Sequence, residues 1–282
     1  TQSNLVKLRD LGYFTIGPTD GSQACGDEGP GRMTEPNEIV DHIARHCSTE
    51  IPQNLNGVNV MVTAGPTRER LDPVRYITND SSGKQGLAIA NAAKSKGATV
   101  TLIAGPNVEP TNPEILRIDV ESAIEMNNAV QERLKETDLF IGVAAVADYR
   151  PANFLKEKIK RHGNNSLTNL ELTENPDIIA NVAKVKNRPI IVGFAAETND
   201  PLKHAREKRI RKGIDAIIVN DVSDPNIGFN STENAATLIH EGGEIAFAKQ
   251  SKISLGAELI DQLENIFSLS KRQKTLRKTS RA

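Results

Sequence analysis

The residues of this sequence that could do chemistry lie in short stretches rich in polar groups or glycine, each of which directly follows an apolar run. Five such stretches occur, at residues 65–68, 105–106, 147–150, 197–199 and 220–223. In an open parallel sheet, the segments that follow the carboxyl ends of the strands meet at one edge, and ligands bind there. A single polar loop is ordinary, but five of them after apolar strands predict a binding edge.

Residues 78–86 form a further candidate, because they precede a predicted helix. Ser81 or Ser82 could cap this helix, and the free amides of its first turn would favour an anion. The spacing fits neither a P-loop nor the dinucleotide fingerprint. Upstream, Arg75 offers a planar guanidinium suited to phosphate or carboxylate. A plain helix cap and a surface ion pair are the alternative interpretations, and the spacing leaves both open.

Two groups of basic residues are also anion-binding candidates. A predicted loop at 156–161 carries Lys158 among cations at alternate positions, which is typical of a solvated edge or of a flap over a triphosphate. A predicted helix places His204, Lys208 and Lys212 on one face at i,i+4 spacing. A charged face of a helix usually contacts only solvent and binds no ligand. This stripe, however, contains no acidic residue, so its like charges repel one another until an anion binds.

The motifs of several other catalytic mechanisms are absent from this sequence. No Cys/His cluster with zinc spacing, no His-Glu-x-x-His motif and no Gly-x-Ser-x-Gly motif occurs. What remains is an anion site with amide and cationic donors. Such a site suits nucleotidyl activation, in which positioning and charge neutralisation supply most of the rate. The metal ligands stay unknown at this stage.

Apolar runs alternate with amphipathic segments along the chain, and this pattern predicts the strands and helices that hold the polar loops in place. Several runs are apolar without alternation, as expected of parallel strands buried on both faces. Strand–helix alternation favours an open α/β sheet, and Gly242-Gly243 predicts a C-terminal antiparallel hairpin. The predicted strands are 58–62, 99–103, 116–118, 138–145, 189–195 and 214–219, and the predicted helices are 84–96, 122–136, 177–185, 201–212 and 253–269.

Composition restricts the class of function. The chain has 282 residues, of which 38% are hydrophobic and 25% charged, as in soluble globular proteins. A net charge of -1 and 4% aromatic residues disfavour nucleic-acid binding. No apolar run could span a bilayer, and no secretory signal opens the chain. Two cysteines fit a reducing cytosol. We therefore expect a cytoplasmic protein with no nucleic-acid and no membrane partner.

Four segments are predicted along the chain. Residues 1–48 have too little apolar surface for a core of their own, and 49–56 read as a polar linker. Residues 57–270 hold the α/β pattern, and 271–282 form a basic tail with the composition of a disordered segment. Because the chain opens with Thr1 inside a predicted helix, we expect it to be a piece of a longer polypeptide. The first segment is predicted to contain helices at 4–11 and 37–46 and a loop at 17–36.

Several motifs resemble those of the phosphopantothenate–cysteine ligase domain of coenzyme A synthesis. The likeness extends over residues 57 to about 266, in the order of that family, and chance similarity is remote. The motifs are Thr63-Ala-Gly-Pro-Thr-Arg-Glu, Leu71-Asp-Pro-Val-Arg-Tyr-Ile, Asn79-Asp-Ser-Ser-Gly-Lys, Ala144-Ala-Val-Ala-Asp-Tyr-Arg, Glu157-Lys-Ile-Lys, Glu174-Asn-Pro-Asp-Ile-Ile, Val192-Gly-Phe-Ala-Ala-Glu-Thr, Asn220-Asp-Val-Ser and Gly228-Phe-Asn-Ser.

The first segment resembles a different enzyme domain. Ala24-Cys-Gly-Asp-Glu-Gly-Pro-Gly-Arg-Met, followed by Glu35-Pro36, is similar to the substrate flap of phosphopantothenoylcysteine decarboxylase. In bacteria the decarboxylase commonly precedes the ligase in one bifunctional chain, the CoaBC (Dfp) family. The resemblance therefore implies a ligase domain at 57–270 and a C-terminal remnant of the decarboxylase at 1–48, in which Cys25 matches the proton donor. The FMN-binding core is expected upstream, so we expect this chain to bind no FMN and to release no CO₂.

The resemblance also implies a reaction and a fold. The substrates are 4'-phosphopantothenate, L-cysteine and CTP, with Mg²⁺ on the phosphates. CTP converts the acid to an acyl-cytidylate with loss of pyrophosphate, after which cysteine displaces CMP. The fold is Rossmann-like, with an open, mainly parallel sheet, helices on both faces and a C-terminal antiparallel hairpin extension. The protein would be a homodimer, or a higher oligomer when fused to the full decarboxylase.

Residue roles are implied position by position. Asn79 corresponds to the residue that stabilises the intermediate, and Lys158 to a flap lysine on the triphosphate. Arg75 corresponds to an arginine that reaches in from the partner subunit. Phosphopantothenate would be held by Arg75, Asn79, Ala144, Ala145 and Asp148. The nucleotide would be held by Asp148, Lys158, Pro176, Asp177, Ile178, Ile179, Phe194, Lys208 and Lys212.

Two other functions compete with this interpretation. An NAD(P)-dependent dehydrogenase could use the same layered fold, although the dinucleotide fingerprint is missing. A non-catalytic nucleotide-binding module could sense CTP, although Asn79, Asp148 and Lys158 are all present. The spacing of the motifs does not distinguish CTP from ATP.

Overall fold

The computed structural model describes residues 2–10, 15–17, 19–22, 28–36, 38–40, 53–160, 169–197, 200–221 and 231–269. They belong to two compact units, Thr1–Pro52 and Gln53–Ala282. The division falls inside the stretch 49–56 that was interpreted as a linker. The assignment of the first unit to a decarboxylase remnant stays a prediction.

The first unit contains a helix and a two-stranded ribbon. Helix α1 (Gln2–Asp10) is followed by the antiparallel strands β1 (Thr19–Ser22) and β2 (Glu28–Arg32). The prediction of a plain loop at 17–36 is therefore wrong in part. These strands carry glycine and proline and show no alternation of apolar residues, so they are defined by backbone pairing, to which the Thr19 hydroxyl adds a hydrogen bond to the Arg32 carbonyl at 3.3 Å. Cys25 lies outside the described residues, as does most of the helix predicted at 37–46.

The second unit alternates strands and helices along the chain. In order they are β3 (Asn59–Ala64), β4 (Arg68–Arg70), β5 (Tyr76–Thr78), α2 (Lys84–Ser95), β6 (Thr99–Ala104), β7 (Leu116–Asp119), α3 (Ala123–Arg133), β8 (Leu139–Gly142), β9 (Tyr149–Pro151), β10 (Leu172–Glu174), α4 (Ile178–Ala183), β11 (Ile190–Glu197), α5 (Pro201–Lys212), β12 (Ala216–Asp221), β13 (Glu233–His240), β14 (Gly243–Ser251) and α6 (Lys252–Phe267). A short 3-10 turn, Leu134–Glu136, follows α3.

Eight of these strands form one sheet, in the spatial order β7-β6-β3-β8-β11-β12-β13-β14. The pairs from β7 to β12 are parallel, and β12-β13 and β13-β14 are antiparallel. The prediction of an open, mainly parallel Rossmann-like sheet with a C-terminal hairpin is confirmed. The strand order reverses between β3 and β8, and loops that leave in opposite directions there open a crevice beyond the carboxyl ends.

Apolar side chains on alternate strand positions supply two cores, one on each face of the sheet. In β8, Leu139 and Ile141 enter the core beneath α2 and α6, whereas Phe140 enters the core beneath α3, α4 and α5. All four residues of β8 are buried. A central strand covered on both faces has no solvent side, which explains its continuous apolar run. Among the described helices, none is long and apolar enough to cross a membrane.

The start of α2 differs from the sequence-based prediction. Its N-cap is Gly83, with φ 71°, and no side chain caps the helix. Capping by Ser81 or Ser82 is therefore a wrong prediction. A Cβ atom at Gly83 would lie 3.1 Å from backbone atoms of Gly65, so this close approach of two segments requires glycine. Tertiary packing, rather than a local serine cap, determines where the helix begins.

Candidate functional site

Two neighbouring cavities lie beyond the carboxyl ends of the central strands. The first cavity is lined by the start of α2 together with Val143, Ala145, Asn220 and Lys252. The second cavity is lined by Asp148, by Pro176 to Ile179 before and in α4, and by Lys208 and Lys212 of α5. Ala144 and Phe194 line both cavities. The two cavities therefore meet at these two residues, and ligands in them could react with each other there.

The segment that follows β8 forms the wall between the cavities. Val143 and Ala145 face the first cavity, whereas Gly142 and Val146 face the second. The wall is held by backbone hydrogen bonds, because the Ala145 N–H donates to the Gly65 carbonyl at 2.9 Å. The predicted strand 138–145 ends at Gly142, so this segment leaves the sheet and becomes part of the site.

Asn79 is brought to this wall from a distant part of the sequence. Its side-chain amide donates to the Ala145 carbonyl at 3.0 Å. The neighbouring Thr78 hydroxyl donates to the Thr67 carbonyl at 2.7 Å, which holds the end of β5 immediately before Asn79. The structure thus places the Asn79 amide beside Ala145, although Asn79 is exposed and lines neither cavity. Whether these residues act in catalysis stays a prediction.

The first cavity has the electrostatics of an anion site. Helix α2 begins there with no side-chain cap, so its first amide N–H groups and its dipole favour a negative charge. Lys84 and Lys252 add two ammonium groups to the lining. Burial, and secondarily repulsion from Lys84, lowers the pKa of Lys252 to about 8. Sequence reasoning missed Lys252, because a single lysine at the start of a helix carries no local signal.

Three side-chain amides form a buried relay beside this cavity. Asn220 donates to Asn234 at 3.3 Å, and Asn234 donates to Gln85 at 3.2 Å. Gln85 in turn donates to the Lys252 carbonyl at 3.4 Å. These residues come from β12, β13, α2 and α6. Asn220 and Gln85 belonged to predicted site segments, whereas Asn234 and Lys252 did not, since their part in the site depends on which strands and helices are neighbours.

Two lysines and an aspartate lie together at one end of the second cavity. Asp177 is the N-cap of α4 and accepts from the Ala180 N–H at 3.0 Å. Lys212 Nζ lies 3.0 Å from the same carboxylate. Burial raises the pKa of Asp177, but the bonds from Ala180 and Lys212 and the charge of Lys208 outweigh it and keep that pKa below its ordinary value. The basic stripe on α5 thus has an acidic partner, Asp177 at the start of α4. The sequence-based argument that its like charges are balanced only by a bound anion is therefore wrong.

His204, the third member of the stripe, is exposed and lines neither cavity. Of the predicted loops, 105–106 also lies away from them, and residues 198–199 and 222–223 lie outside the described residues. The remaining nucleotide-site candidates, from Pro176 to Ile179 and Phe194, do come together. The structure therefore groups most of the predicted nucleotide residues around one cavity.

Arg75 and Lys158 are placed differently from the other candidates. The Arg75 guanidinium donates twice to the buried Asp72 carboxylate, at 3.0 and 2.7 Å, and once to the Ile159 carbonyl at 2.6 Å. The Ile159 N–H donates to the same carboxylate at 3.1 Å. Burial raises the pKa of Asp72, but these bonds together hold it well below its ordinary range. Arg75 lines neither cavity. Lys158 is exposed and directly precedes Ile159, whose backbone binds Asp72 and Arg75. Lys158 also lines neither cavity.

Carboxylates are sparse around the site. Within the described ranges, no group of three or more His, Cys, Asp or Glu side chains could hold a metal ion. Asp148 is the one acidic lining residue of the second cavity, as far as the structure describes it, besides Asp177.

Comparisons with known proteins agree with this architecture. Residues 55–267 match the family described as DNA/pantothenate metabolism flavoprotein C-terminal domain. The chain is 51% identical over 267 residues to the coenzyme A biosynthesis bifunctional protein CoaBC of Escherichia coli K12, covering 93% of this chain and 65% of that protein. The Vibrio cholerae CoaBC is 49% identical over 92% of this chain and 65% of that protein. The chain thus spans about two thirds of the length of these relatives.

A solved structure has the same fold. The C-terminal domain of a coenzyme A biosynthesis bifunctional protein CoaBC is 33% identical, with a TM-score of 0.65 over 77% of this chain and 98% of that one.

Proposed function

This chain belongs to the family of DNA/pantothenate metabolism flavoprotein C-terminal domains, and from that premise we propose that it joins 4'-phosphopantothenate to L-cysteine after activation by CTP. The observation that carries the proposal is the pair of cavities that meet at Ala144 and Phe194. One cavity suits a phosphorylated acid and the other a nucleotide, so the two reactants can be held in contact. Relatives named as coenzyme A biosynthesis proteins support the same reaction.

The acid is proposed to lie in the first cavity. Its phosphate meets the uncapped start of α2, where amide N–H groups favour an anion. Its carboxylate extends towards the wall at Ala144 and Ala145, where the Asn79 amide lies. In this position the carboxylate faces the second cavity.

The nucleotide is proposed to lie in the second cavity, with its phosphates near Lys208 and Lys212. A carboxylate oxygen attacks the α-phosphorus, a new P–O bond forms, and the P–O bond to pyrophosphate breaks. The cysteine amine then attacks the acyl carbon, a C–N bond forms, and CMP leaves with the electron pair while the amine loses a proton. Asn79 would donate a hydrogen bond to the developing negative charge in these steps. Lys158 would close over the triphosphate only if its loop moves, because it is exposed in the structure.

Mg²⁺ would be bound chiefly by the nucleotide in this scheme. The ion keeps several waters and is usually held by phosphates with one or two carboxylates. Asp148 fits that role, whereas the Asp177 carboxylate already binds Lys212 and the Ala180 N–H. The ion would neutralise phosphate charge. FMN and decarboxylation would belong to a longer parent protein.

A homodimer is part of the proposal. The small ribbons β4-β5 and β9-β10, with the segments beside them, carry a group of exposed large apolar side chains, which is typical of an interaction surface. Arg75 lies within this region, where an arginine could serve a partner's site. Light scattering of the purified chain tests the dimer. The exposed residues are Val74, Tyr76, Tyr149, Phe154, Leu170 and Leu172.

Pyrophosphate release is the direct test of the function. The purified chain is mixed with phosphopantothenate and CTP or ATP, with and without cysteine. We expect CTP-dependent pyrophosphate, and phosphopantothenoylcysteine only when cysteine is present. Binding of CTP without pyrophosphate would instead indicate a non-catalytic module. Thermal stabilisation by NAD(P) but not by CTP would indicate a dehydrogenase.

A further inference from the structure

The Asp72 carboxylate is completely buried outside both cavities, and the scheme above gives it no task. One of its oxygens accepts the backbone N–H groups of Val74 and Arg75, each at 2.8 Å. The other oxygen accepts from Nε and Nη2 of the Arg75 guanidinium and from the Ile159 N–H. These donors belong to the segment that carries Arg75 and to the residue that follows Lys158. This carboxylate therefore joins the surroundings of two residues that the proposed reaction uses.

Asp72 fixes the direction of the Arg75 side chain. Nε and Nη2 of Arg75 donate to the carboxylate at 3.0 and 2.7 Å, and Nη2 also donates to the Ile159 carbonyl at 2.6 Å. A side chain with several rotatable bonds is thereby held near one rotamer. The Arg75 side chain is still 37% exposed, and its Nη1 group takes no part in these bonds. Because a guanidinium has five donors in a rigid fork, Nη1 can donate to the carboxylate or phosphate of a bound reactant.

The loop of residues 156–158, the Lys158 loop, is held at both ends by the segment 71–75. At the C-terminal end of the loop, Ile159 is bound through its N–H to the carboxylate of this segment and through its carbonyl to the guanidinium. At the N-terminal end, the Leu155 N–H donates to a backbone carbonyl of the same segment at 3.0 Å. Lys158 therefore moves about two fixed points, and one of those points depends on the buried carboxylate.

We propose that Asp72 is a positioning residue of the ligation, whose single carboxylate sets both the direction of Arg75 and the anchor of the Lys158 loop. This inference rests on the proposed function, because Asp72 acts through two residues to which that function gives roles. Asp72 lines neither cavity, so its contribution to the rate passes through Arg75 and Lys158. A misplacement of about 1 Å in such a group costs on the order of a hundred-fold in rate. An ion pair with a purely structural role would instead affect the stability of the fold alone.

Double-mutant kinetics is the first test. Asp72→Asn keeps the shape of the side chain but replaces one acceptor oxygen with an NH₂ donor. It is introduced into wild type, into Lys158→Gln and into Arg75→Gln. In wild type, kcat/KM for CTP should fall about ten- to a hundred-fold. In each of the other two backgrounds the fall should be smaller by roughly threefold or more, because one of the positioned side chains is already missing. The same fall in all three backgrounds would overturn the proposal.

Glu69→Gln is the matched control for these cycles. Glu69 is also a buried carboxylate of the same region, but it accepts from the Ala123 N–H at 3.0 Å. It has no hydrogen bond to Arg75 or to the Lys158 loop among the described residues. Any effect of Glu69→Gln on kcat/KM should therefore be the same in the three backgrounds. Circular dichroism at the assay temperature confirms that each variant is folded.

Hydrogen–deuterium exchange at the Ile159 amide tests the anchor without turnover. Exchange reports local opening, and this N–H is donated to Asp72. It should exchange about ten-fold faster in Asp72→Asn, and also faster in Arg75→Lys, which loses the bond to the Ile159 carbonyl. Glu69→Gln should leave it unchanged. Unchanged exchange in Asp72→Asn contradicts the proposal. If exchange rises in Asp72→Asn but the wild-type protein releases no pyrophosphate, the ligase function fails while the anchor stands.

Discussion

Lys212 on α5 lies against Asp177, the N-cap residue of α4, with its Nζ 3.0 Å from the carboxylate. The two residues are 35 positions apart in the sequence, and the packing of two helices brings them together at the edge of the second cavity. The ion pair holds a flexible lysine at one position. An ammonium has three donors, so Lys212 can keep this bond and still reach a phosphate.

Lys212→Met should therefore weaken the use of the nucleotide. One charge-assisted hydrogen bond contributes about 1.5–3 kcal/mol, so kcat/KM for CTP should fall roughly ten- to a hundred-fold. Lys203→Met is the matched control, since Lys203 is an exposed lysine of the same helix and lines neither cavity. Equal kinetics for the two variants would exclude Lys212 from the nucleotide site.

Asn79→Ala should impair the chemical step. Asn79 lines neither cavity, but its amide donates to the carbonyl of Ala145, which lines the first cavity. The loss of one donor to a developing negative charge lowers kcat by roughly a hundred- to a thousand-fold. Asn79→Asp is the isosteric comparison, because it keeps the shape and removes the donor. Both variants should keep the wild-type circular dichroism spectrum. Full turnover by Asn79→Ala would remove this residue from the mechanism.

Lys158→Gln tests whether an exposed lysine reaches the nucleotide. The structure leaves Lys158 outside both cavities, so an effect requires its loop to move when the nucleotide binds. We expect kcat/KM for CTP to fall about ten- to a hundred-fold, the cost of one charge-assisted hydrogen bond. Lys156→Gln, two residues away and also exposed, should change little. If kcat/KM for CTP is unchanged in Lys158→Gln, then Lys158 does not close over the nucleotide.

Asp72→Asn should destabilise the protein in a pH-dependent way. The folded pKa of Asp72 lies below its ordinary value of 3.8, so its ionised form stabilises the fold above that pH, and this contribution is lost as the pH falls further. The melting temperature of Asp72→Asn should lie several degrees below wild type at pH 7, and the difference should narrow as the pH falls below about 4. Thermal unfolding followed across this range provides the measurement. A difference independent of pH would show that the carboxylate charge contributes nothing.

The sequence alone determined the class of fold. The continuous apolar run that became β8 predicted a strand buried on both faces, and the glycine pair Gly242-Gly243 predicted the hairpin of β13 and β14. These features are local. The periodicity of a strand is visible within a few consecutive residues, and a turn is visible from the two residues that form it. The motifs at 63–69 and 144–150 likewise carried the family resemblance, because residue types in fixed order are a property of the chain.

Only the tertiary structure decided how the site is assembled. Asn79 reaches Ala145, and Gln85 reaches Asn234 and Lys252, because β3 lies beside β8 and α2 packs against α6. No local pattern encodes these neighbours. Gly83 became the helix cap, in place of a serine, for the same reason, since the constraint comes from the backbone at Gly65. The sequence supplies the donors and charges, and long-range packing determines which of them meet at one cavity.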